Sequence, residues 1–266
     1  LEGAGKEFVA GADVKFFVDK IEEDSFSEID DFTRDGHRVL DLIEGSPHTT
    51  IALTTGLALG GGLELALSCD YRVGTEKTML RFPETSIGIY PGLGGTQRTT
   101  RVCGIEAARF AVLAGNFMDA GAARALGLIT HLVDASEVTG TVRGISSTGK
   151  PEDKYPGSPF DPSHPVAAMS KAFFSDQNME SLLSGQAPDG FDPEDRNVAR
   201  QLKSLSRAAP VSVRIASDLL DKALVTDLES GLQLELDYLD EIFATKDARE
   251  GLSALVEGRR PEYVGS

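Results

Sequence analysis

The distribution of apolar and polar positions divides the first part of the chain into short alternating elements. Residues 50–55 (TIALTT) form an apolar, β-branched run, which predicts a buried strand. Three glycines follow at 60–62, and the sequence LELALSCD after them has the spacing and composition of a helix. Residues 71–73 predict the next short strand. This succession of strand, glycine turn, helix and strand indicates a layered α/β unit.

Amphipathic helical patterns account for much of the remaining chain. Short helices are predicted at 105–115 and 119–128, and helices resume near residue 197, with longer ones at 211–224, 228–243 and 248–257. One side of the 228–243 segment carries Leu232, Leu236, Leu239 and Ile242. Such a stripe packs within the chain or between subunits. Because large bare apolar patches are rare on monomers, we expect subunit contacts built partly from 206–258.

Composition changes near residue 139 and stays different to about 195. This stretch is rich in Gly, Ser, Pro and Asp, and five of the 12 prolines stand at 151, 156, 159, 162 and 165. Because each proline blocks helix continuation, we expect an extended surface excursion outside the core, interrupted by a short helix at 165–174. The chain is thus predicted to comprise a core (1–138), an insertion (139–195) and a helical C-terminal region (196–266).

Net charge narrows the classes of partner. Lys and Arg total 26 and Asp and Glu total 42, so the formal net charge is −16. This acidity argues against nonspecific binding to nucleic acid or to an anionic membrane. An anionic substrate would need locally placed cations, for which Arg259 and Arg260 are candidates unless they form a solvated tail. No apolar run approaches the ~20 residues of a membrane span.

Cysteine and histidine placement gives no sign of a metal or disulfide framework. Cys69 and Cys103 form no CxxC pair, which favours a reducing compartment, and we expect a cytoplasmic protein. The histidines are not at metal-ligand spacing and are expected to be surface or structural residues; they are His37, His48, His131 and His164. Nothing at the N-terminus resembles a signal peptide. Its first residues instead resemble the end of a strand, so we expect the natural beginning to be missing.

Two features carry candidate chemistry. The glycines at 60–62 match neither a dinucleotide fingerprint nor a Walker loop. Their N–H groups at a helix N-terminus suit an anion or a developing oxyanion, although a close helix–strand crossing explains them equally well. Glu64 in the first helical turn also complements the helix dipole. Glu84, between apolar residues and a glycine-rich loop, fits a carboxyl tuned by desolvation for proton transfer. Spacing alone does not bring the two together.

Several blocks together resemble the crotonase (enoyl-CoA hydratase/isomerase) superfamily, and its enoyl-CoA hydratases above all. They are AGAD at 10–13, ALGGGLELALSCD at 58–70, FPETSIGIYPGLGGTQR at 82–98, GLITHLVD at 127–134 and DAREGLSALVEGRRPEY at 247–263. The resemblance implies an α/β spiral of ββα units with a helical C-terminal trimerisation region. By this resemblance we expect the early strand and helix of that family to be missing here.

The resemblance also implies an activity and a set of roles. The activity is reversible hydration of 2-enoyl-CoA thioesters to 3-hydroxyacyl-CoA. The backbone N–H groups of Ala12 and Gly61 would hold the thioester oxygen, while Gly92 borders the reacting carbons. Glu64 would activate the water and Glu84 would protonate Cα. No metal or redox cofactor is implied, since CoA is part of the substrate.

Alternatives and departures accompany this resemblance. Double-bond isomerisation could use Glu84 alone. A non-catalytic scaffold or an RNA-binding member is a further alternative, and the net charge of −16 weighs against RNA binding. The family implies a homotrimer or a dimer of trimers. The excursion at 139–195 resembles hydratases fused to 3-hydroxyacyl-CoA dehydrogenases, so a fused or associated dehydrogenase is expected. Phe82 and Thr55 depart from common family residues and leave the acyl preference open.

Overall fold

The computed structural model describes residues 1–155 and 161–266. Within these residues there are fourteen α-helices and six β-strands. The strands are β1 (Ile51–Thr54), β2 (Leu57–Leu59), β3 (Tyr71–Gly74), β4 (Met79–Arg81), β5 (Met118–Asp119) and β6 (His131–Leu132). The helices are α1 (Val14–Glu22), α2 (Phe26–Glu44), α3 (Gly61–Ser68), α4 (Gly95–Cys103), α5 (Ile105–Val112), α6 (Ala120–Ala125), α7 (Val138–Thr148), α8 (Pro165–Phe173), α9 (Met179–Leu183), α10 (Arg196–Leu205), α11 (Pro210–Lys222), α12 (Leu228–Asp237), α13 (Leu239–Phe243) and α14 (Lys246–Glu257).

Successive turns of the chain place one strand in each of two small sheets. Strands β1 and β3 pair in parallel in one sheet, and β2 and β4 pair in parallel in the other. The N-terminal residues repeat this arrangement, because Glu2 bridges to Leu53 and Val9 bridges to Ala58, both in parallel. Parallel neighbours require a crossover connection, here supplied by the helix of each unit. The predicted spiral of ββα turns is therefore confirmed.

Helix α3 lies inside the spiral. Leu63, Ala66 and Leu67 on this helix are completely buried, and Glu64 is only 2% exposed. A helix that is apolar on nearly all sides is typical of a core position rather than a surface one. A carboxyl group in its first turn is consequently removed from water by the fold itself.

Arg98 connects the glycine-rich loop to the long helix α2. Its side chain is fully buried on α4, and it donates to Glu44 at 2.8 Å, to Asp41 at 2.9 Å and to the Leu93 carbonyl at 3.1 Å. The planar guanidinium can satisfy three acceptors in fixed directions, which a lysine cannot do. Helix α2, which lies outside the elements predicted from sequence, is thereby anchored beside the loop at 91–95.

Part of the segment at 139–195, among its described residues, contributes buried side chains to the hydrophobic core, contrary to the expectation of an excursion lying wholly outside it. The helix predicted at 165–174 is present as α8, with Pro165 at its first turn, where a missing N–H is harmless. Phe173 and Phe174 are fully buried, and the Phe174 ring lies 6.0 Å from that of Phe110 on α5. Helix α7 was not predicted. Prolines 156 and 159 lie outside the described residues, and the division into three segments stays a prediction.

The predicted helix at 228–243 is two helices. It is interrupted at Tyr238, between α12 and α13. Leu232, Leu239 and Ile242 of the apolar stripe are buried within the chain itself. Most of the stripe is therefore covered within the chain, because α2 packs against both helices and α4 packs against α12. The subunit contacts expected from 206–258 stay a prediction. Across residues 1–155 and 161–266, no helix combines the length and apolar character needed to cross a membrane.

We expect Arg98→Ala to lower the free energy of unfolding by about 3 kcal/mol, because it leaves Glu44 without its main guanidinium partner in a largely buried position. The control is Arg38→Ala, which removes an exposed ion pair to Asp35 and should change stability little. Urea denaturation of the three chains measures the difference. Equal stability of both variants would contradict the anchoring role.

Candidate active site

One pocket of about 330 Å³ collects the sequence blocks singled out above. It is lined by all five predicted site residues, which are Ala12, Gly61, Glu64, Glu84 and Gly92. Apolar side chains make up most of the remaining wall, among them Val14, Phe17, Leu93, Leu239, Ile242 and Phe243. A largely apolar pocket with a few convergent polar groups is the usual form of a small-molecule site.

The strand pairing brings Ala12 and Gly61 to the same end of the spiral. Val9 bridges to Ala58 in parallel, and the Val9 carbonyl accepts the N–H of Leu59 at 3.0 Å. Ala12 and Gly61 each follow three residues after the bridged pair. Neither N–H donates to a protein acceptor within the described part of the chain. Gly61 is the first residue of α3, where free N–H groups and the helix dipole favour a negative partner.

The three consecutive glycines meet different requirements. Gly60 has φ +49°, and a Cβ there would lie 2.3 Å from Oε1 of Glu84. A Cβ on Gly62 would lie 2.1 Å from the carbonyl oxygen of Val9. A Cβ on Gly61, in contrast, would come no nearer than 3.4 Å to any neighbour, the closest being Leu93. The close approach to the Val9 backbone therefore explains Gly62, and the positive φ together with the Glu84 carboxyl explains Gly60, but packing alone does not explain Gly61.

Glu64 is held by the glycine-rich loop. Its Oε1 accepts the N–H groups of Leu93 at 2.7 Å and Gly95 at 2.8 Å. Burial, followed by the charges of Glu84 and Glu235, raises the pKa of Glu64 well above its usual value, and the two N–H donors oppose that rise. The hydrogen bonds fix one oxygen of the carboxyl, which leaves Oε2 available to another partner.

Glu84 faces the pocket with much less support. It begins a 3-10 helix, Glu84–Ile87, and its buried Oε2 has no hydrogen-bond partner within the described residues. Burial raises the pKa of Glu84 to about 8, although a hydrogen bond from its own backbone N–H and the nearby charge of Arg81 act in the opposite direction. A buried carboxyl of which one oxygen lacks a donor is more stable when it carries a proton.

The two glutamates form an unequal pair. Burial raises the pKa of both carboxyls, and the charge of Glu84 further disfavours ionisation of Glu64, so the pair retains at least one proton near neutral pH. Two backbone donors favour the negative charge on Glu64, whereas Glu84 receives no such donors at Oε2. Hydrogen bonding therefore favours the charge on Glu64 and the proton on Glu84, whereas burial and the charge of Glu235 act against ionisation of Glu64.

Arg81 is a pocket residue that the sequence reasoning missed. It is the one cationic side chain among the described residues that line the pocket. Its Nε donates to the Gly115 carbonyl at 2.7 Å, and its guanidinium lies 5.0 Å from the ring centre of Phe117. The sequence signal was its position three residues before Glu84. Arg259, a candidate from sequence, is instead paired with Glu250 at 2.5 Å and with Glu257.

His37 and Glu235 were also missed as site residues. His37 on α2 is buried, and its Nε2 lies 2.7 Å from the Gly92 carbonyl oxygen at the pocket wall. Glu235 on α12 is completely buried and contacts the same loop from the other side. A glutamate in an amphipathic helix looks like an ordinary solvated residue, so no local sequence signal distinguishes Glu235.

The fold and pocket agree with the comparison to known proteins. A family model described as "Enoyl-CoA hydratase/isomerase" matches residues 1–264. The solved enoyl-CoA hydratase from Rhodobacter sphaeroides superposes with a TM-score of 0.80 at 21% identity, covering 98% of this chain and 77% of that one. These matches define an α/β protein of the crotonase fold with a helical C-terminal part.

Curated relatives give the same family. The putative enoyl-CoA hydratase/isomerase YngF of Bacillus subtilis is 33% identical over 266 residues, which is 100% of this chain and 79% of that protein. The mitochondrial methylglutaconyl-CoA hydratase of Homo sapiens is 31% identical over 258 residues, which is 97% of this chain and 60% of that protein. The chain belongs to the enoyl-CoA hydratase/isomerase family.

The pKa of Glu84 predicts a specific pH dependence of stability. The folded-state pKa of about 8 exceeds the usual 4.5, so the folded chain binds this proton more tightly than the unfolded chain. The unfolding free energy therefore decreases as pH rises between these values. Glu84→Gln removes this loss, so the variant should be more stable than the native chain above pH 8 and similar below pH 4.5.

The matched control is Glu137→Gln, which replaces an exposed glutamate without a side-chain hydrogen bond at its helix terminus. Urea unfolding at a series of pH values compares the three chains. If Glu84→Gln followed the native pH dependence as closely as Glu137→Gln does, the raised pKa of Glu84 would be refuted.

Proposed function

We propose that this chain hydrates 2-enoyl-CoA thioesters reversibly to 3-hydroxyacyl-CoA. The observation that carries the proposal is the unequal pair of buried carboxyls, Glu64 and Glu84, lining one pocket beside two unpartnered backbone N–H groups. One carboxyl is arranged to hold negative charge and the other to hold a proton. Hydration needs one group of each kind.

The N–H groups of Ala12 and Gly61 bind the thioester oxygen in this proposal. Addition of water at the β-carbon moves electrons toward that oxygen, which becomes an enolate oxyanion. Fixed donors stabilise the new charge without reorganising, and loss of one such donor typically costs ~3 kcal/mol of transition-state stabilisation. Support comes from the parallel bridge that places both residues at the same end of the spiral.

Glu64 and Glu84 divide the proton transfers. Glu64 accepts a proton from water while the water oxygen bonds to Cβ, and Glu84 donates its proton to Cα. The C=C bond is consumed, and one proton moves onto Glu64 as another leaves Glu84, so the pair as a whole keeps its charge. Oε2 of Glu64 is free for the water because the loop occupies Oε1.

Isomerisation of enoyl-CoA double bonds is the second candidate. Glu84 alone could move a proton between the two ends of an allylic system through its unpartnered Oε2. The family includes both activities by its description. Incubation with a 3-enoyl-CoA separates the two activities. An isomerase converts this substrate into a 2-enoyl-CoA, which carries no hydroxyl group. A hydratase acts instead on a 2-enoyl-CoA and adds a hydroxyl group.

The resemblance to the family also supports a proposal about the assembly and location of the protein. The proposed assembly is a homotrimer or a dimer of trimers in the cytoplasm, with α11–α14 at the contact. A fused or associated 3-hydroxyacyl-CoA dehydrogenase would consume the hydration product. Leu224 and Val225, just after α11, are exposed and would supply apolar contact area.

Light scattering at micromolar concentration should give three or six times the mass of the chain. Substituting Leu224 and Val225 together by serine should weaken the assembly, because exposed apolar area drives association. The control is Leu183→Ser, an exposed apolar residue on α9 outside the proposed contact. A stable monomer would refute the proposed assembly.

Glu64→Gln and Glu84→Gln should each lower kcat at least ~100-fold with little change in KM, as expected for groups that transfer protons. The assay is the loss of enoyl-thioester absorbance on adding crotonyl-CoA. Glu137→Gln serves again as the exposed control and should retain native rates. Near-native hydration by either pocket variant would remove that residue from the mechanism.

A further inference from the structure

Glu235 makes an extensive set of contacts for a residue outside the pocket. It stands on α12 and is completely buried. Its carboxylate accepts the N–H of Gly94 at 2.5 Å, the N–H of Thr96 at 3.1 Å, the hydroxyl of Thr96 at 2.5 Å and the N–H of Gln97 at 3.3 Å. These donors surround the N-terminus of α4, where a negative charge is favoured.

The same short backbone segment also holds Glu64. The N–H groups of Leu93 and Gly95 point to Glu64, while those of Gly94 and Thr96 point to Glu235. Successive N–H groups are thus divided between two carboxylates on opposite sides. The position of Glu64 Oε1 depends on this segment, and the segment is fixed by Glu235.

Several other groups face Glu235 from the elements packed around it. Nε2 of His37 on α2 lies 3.8 Å from Oε2 of Glu235, and Arg98 on α4 contributes a favourable charge. The hydroxyl of Tyr90 donates to the backbone carbonyl of Glu235. Burial raises the pKa of Glu235, while His37, Thr96, Gly94 and Arg98 oppose that rise.

We infer that Glu235 is a positioning residue for hydration: its carboxylate fixes residues 93–97 and thereby sets the place and charge of Glu64. The inference rests on the proposed function. Glu235 is not among the residues that line the pocket, so it acts through the loop. Its negative charge also raises the pKa of Glu64, which gives the role an electrostatic signature as well as a geometric one.

Glu235→Gln keeps the size of the side chain but removes the charge and half of its acceptor capacity. We expect kcat to fall about 10- to 100-fold with KM nearly unchanged, because Glu64 loses its fixed position. Glu64 must be ionised to accept the water proton. Removing the charge of Glu235 lowers the pKa of Glu64, so the acidic limb of the kcat profile should move to lower pH.

Thr96→Val is a second variant that retains the charge. It removes the hydroxyl donor to Glu235 and should lower kcat less, without moving the acidic limb. Asp70→Asn is the matched control. Asp70 is also a buried carboxylate that accepts a backbone N–H and a hydroxyl, both from Thr50, but it does not line the pocket. It should reduce stability while keeping the kcat and pH profile of the native chain.

Hydrogen exchange of the backbone amides at 93–97 gives a readout that is independent of activity. Exchange there should accelerate in Glu235→Gln and stay native in Asp70→Asn. Native exchange together with a native kcat profile in folded Glu235→Gln would overturn the positioning role. If the native chain failed to hydrate crotonyl-CoA, the proposed function would fall, and native exchange in Glu235→Gln would separately refute the loop-fixing role.

Discussion

Five successive backbone N–H groups at residues 93–97 are shared between two buried carboxylates, and the pocket depends on that division. Leu93 and Gly95 donate to Glu64, and Gly94, Thr96 and Gln97 donate to Glu235. Buried carboxylates are costly unless hydrogen bonds satisfy them, so these N–H groups allow both to remain in the interior. The loop in turn cannot move without breaking bonds on one side or the other, which gives Glu64 a fixed position.

The remaining features of the pocket follow from how the spiral packs around that loop. Parallel pairing of Val9 with Ala58 places Ala12 and Gly61 at one end of the strands. Glu64 is buried in the first turn of α3, which begins at Gly61. Glu84 lies after β4 and lines the same pocket, and its Oε2 has no hydrogen-bond donor within the described residues. The two carboxyls thus differ in their hydrogen bonding, and this asymmetry is what the proposed division into a base and an acid requires.

The sequence predicted the elements of the core well, but it did not predict features that depend on contacts between residues distant in the chain. Strands β1 and β3 and helix α3 were predicted because their apolar patterns and glycine turns are local signals, and the family was confirmed. The excursion was misjudged because prolines and glycines describe local backbone, whereas burial of Phe173 and Phe174 is decided by partners distant in sequence. Glu235 was missed for the same reason, since its donors lie about 140 residues away. The catalytic roles of the five pocket residues stay predictions.

The most direct test measures where the oxygen and hydrogen atoms of water are added to the substrate. Crotonyl-CoA incubated with the native chain in deuterated water, and monitored by nuclear magnetic resonance, reports on both proton transfers at once. The account predicts a product with a hydroxyl group at Cβ and one deuterium at Cα. Deuterium entering the substrate carbons without any gain of a hydroxyl group, or no reaction at all, would contradict the assignment of a water-activating carboxylate and a proton-donating carboxyl to this pocket.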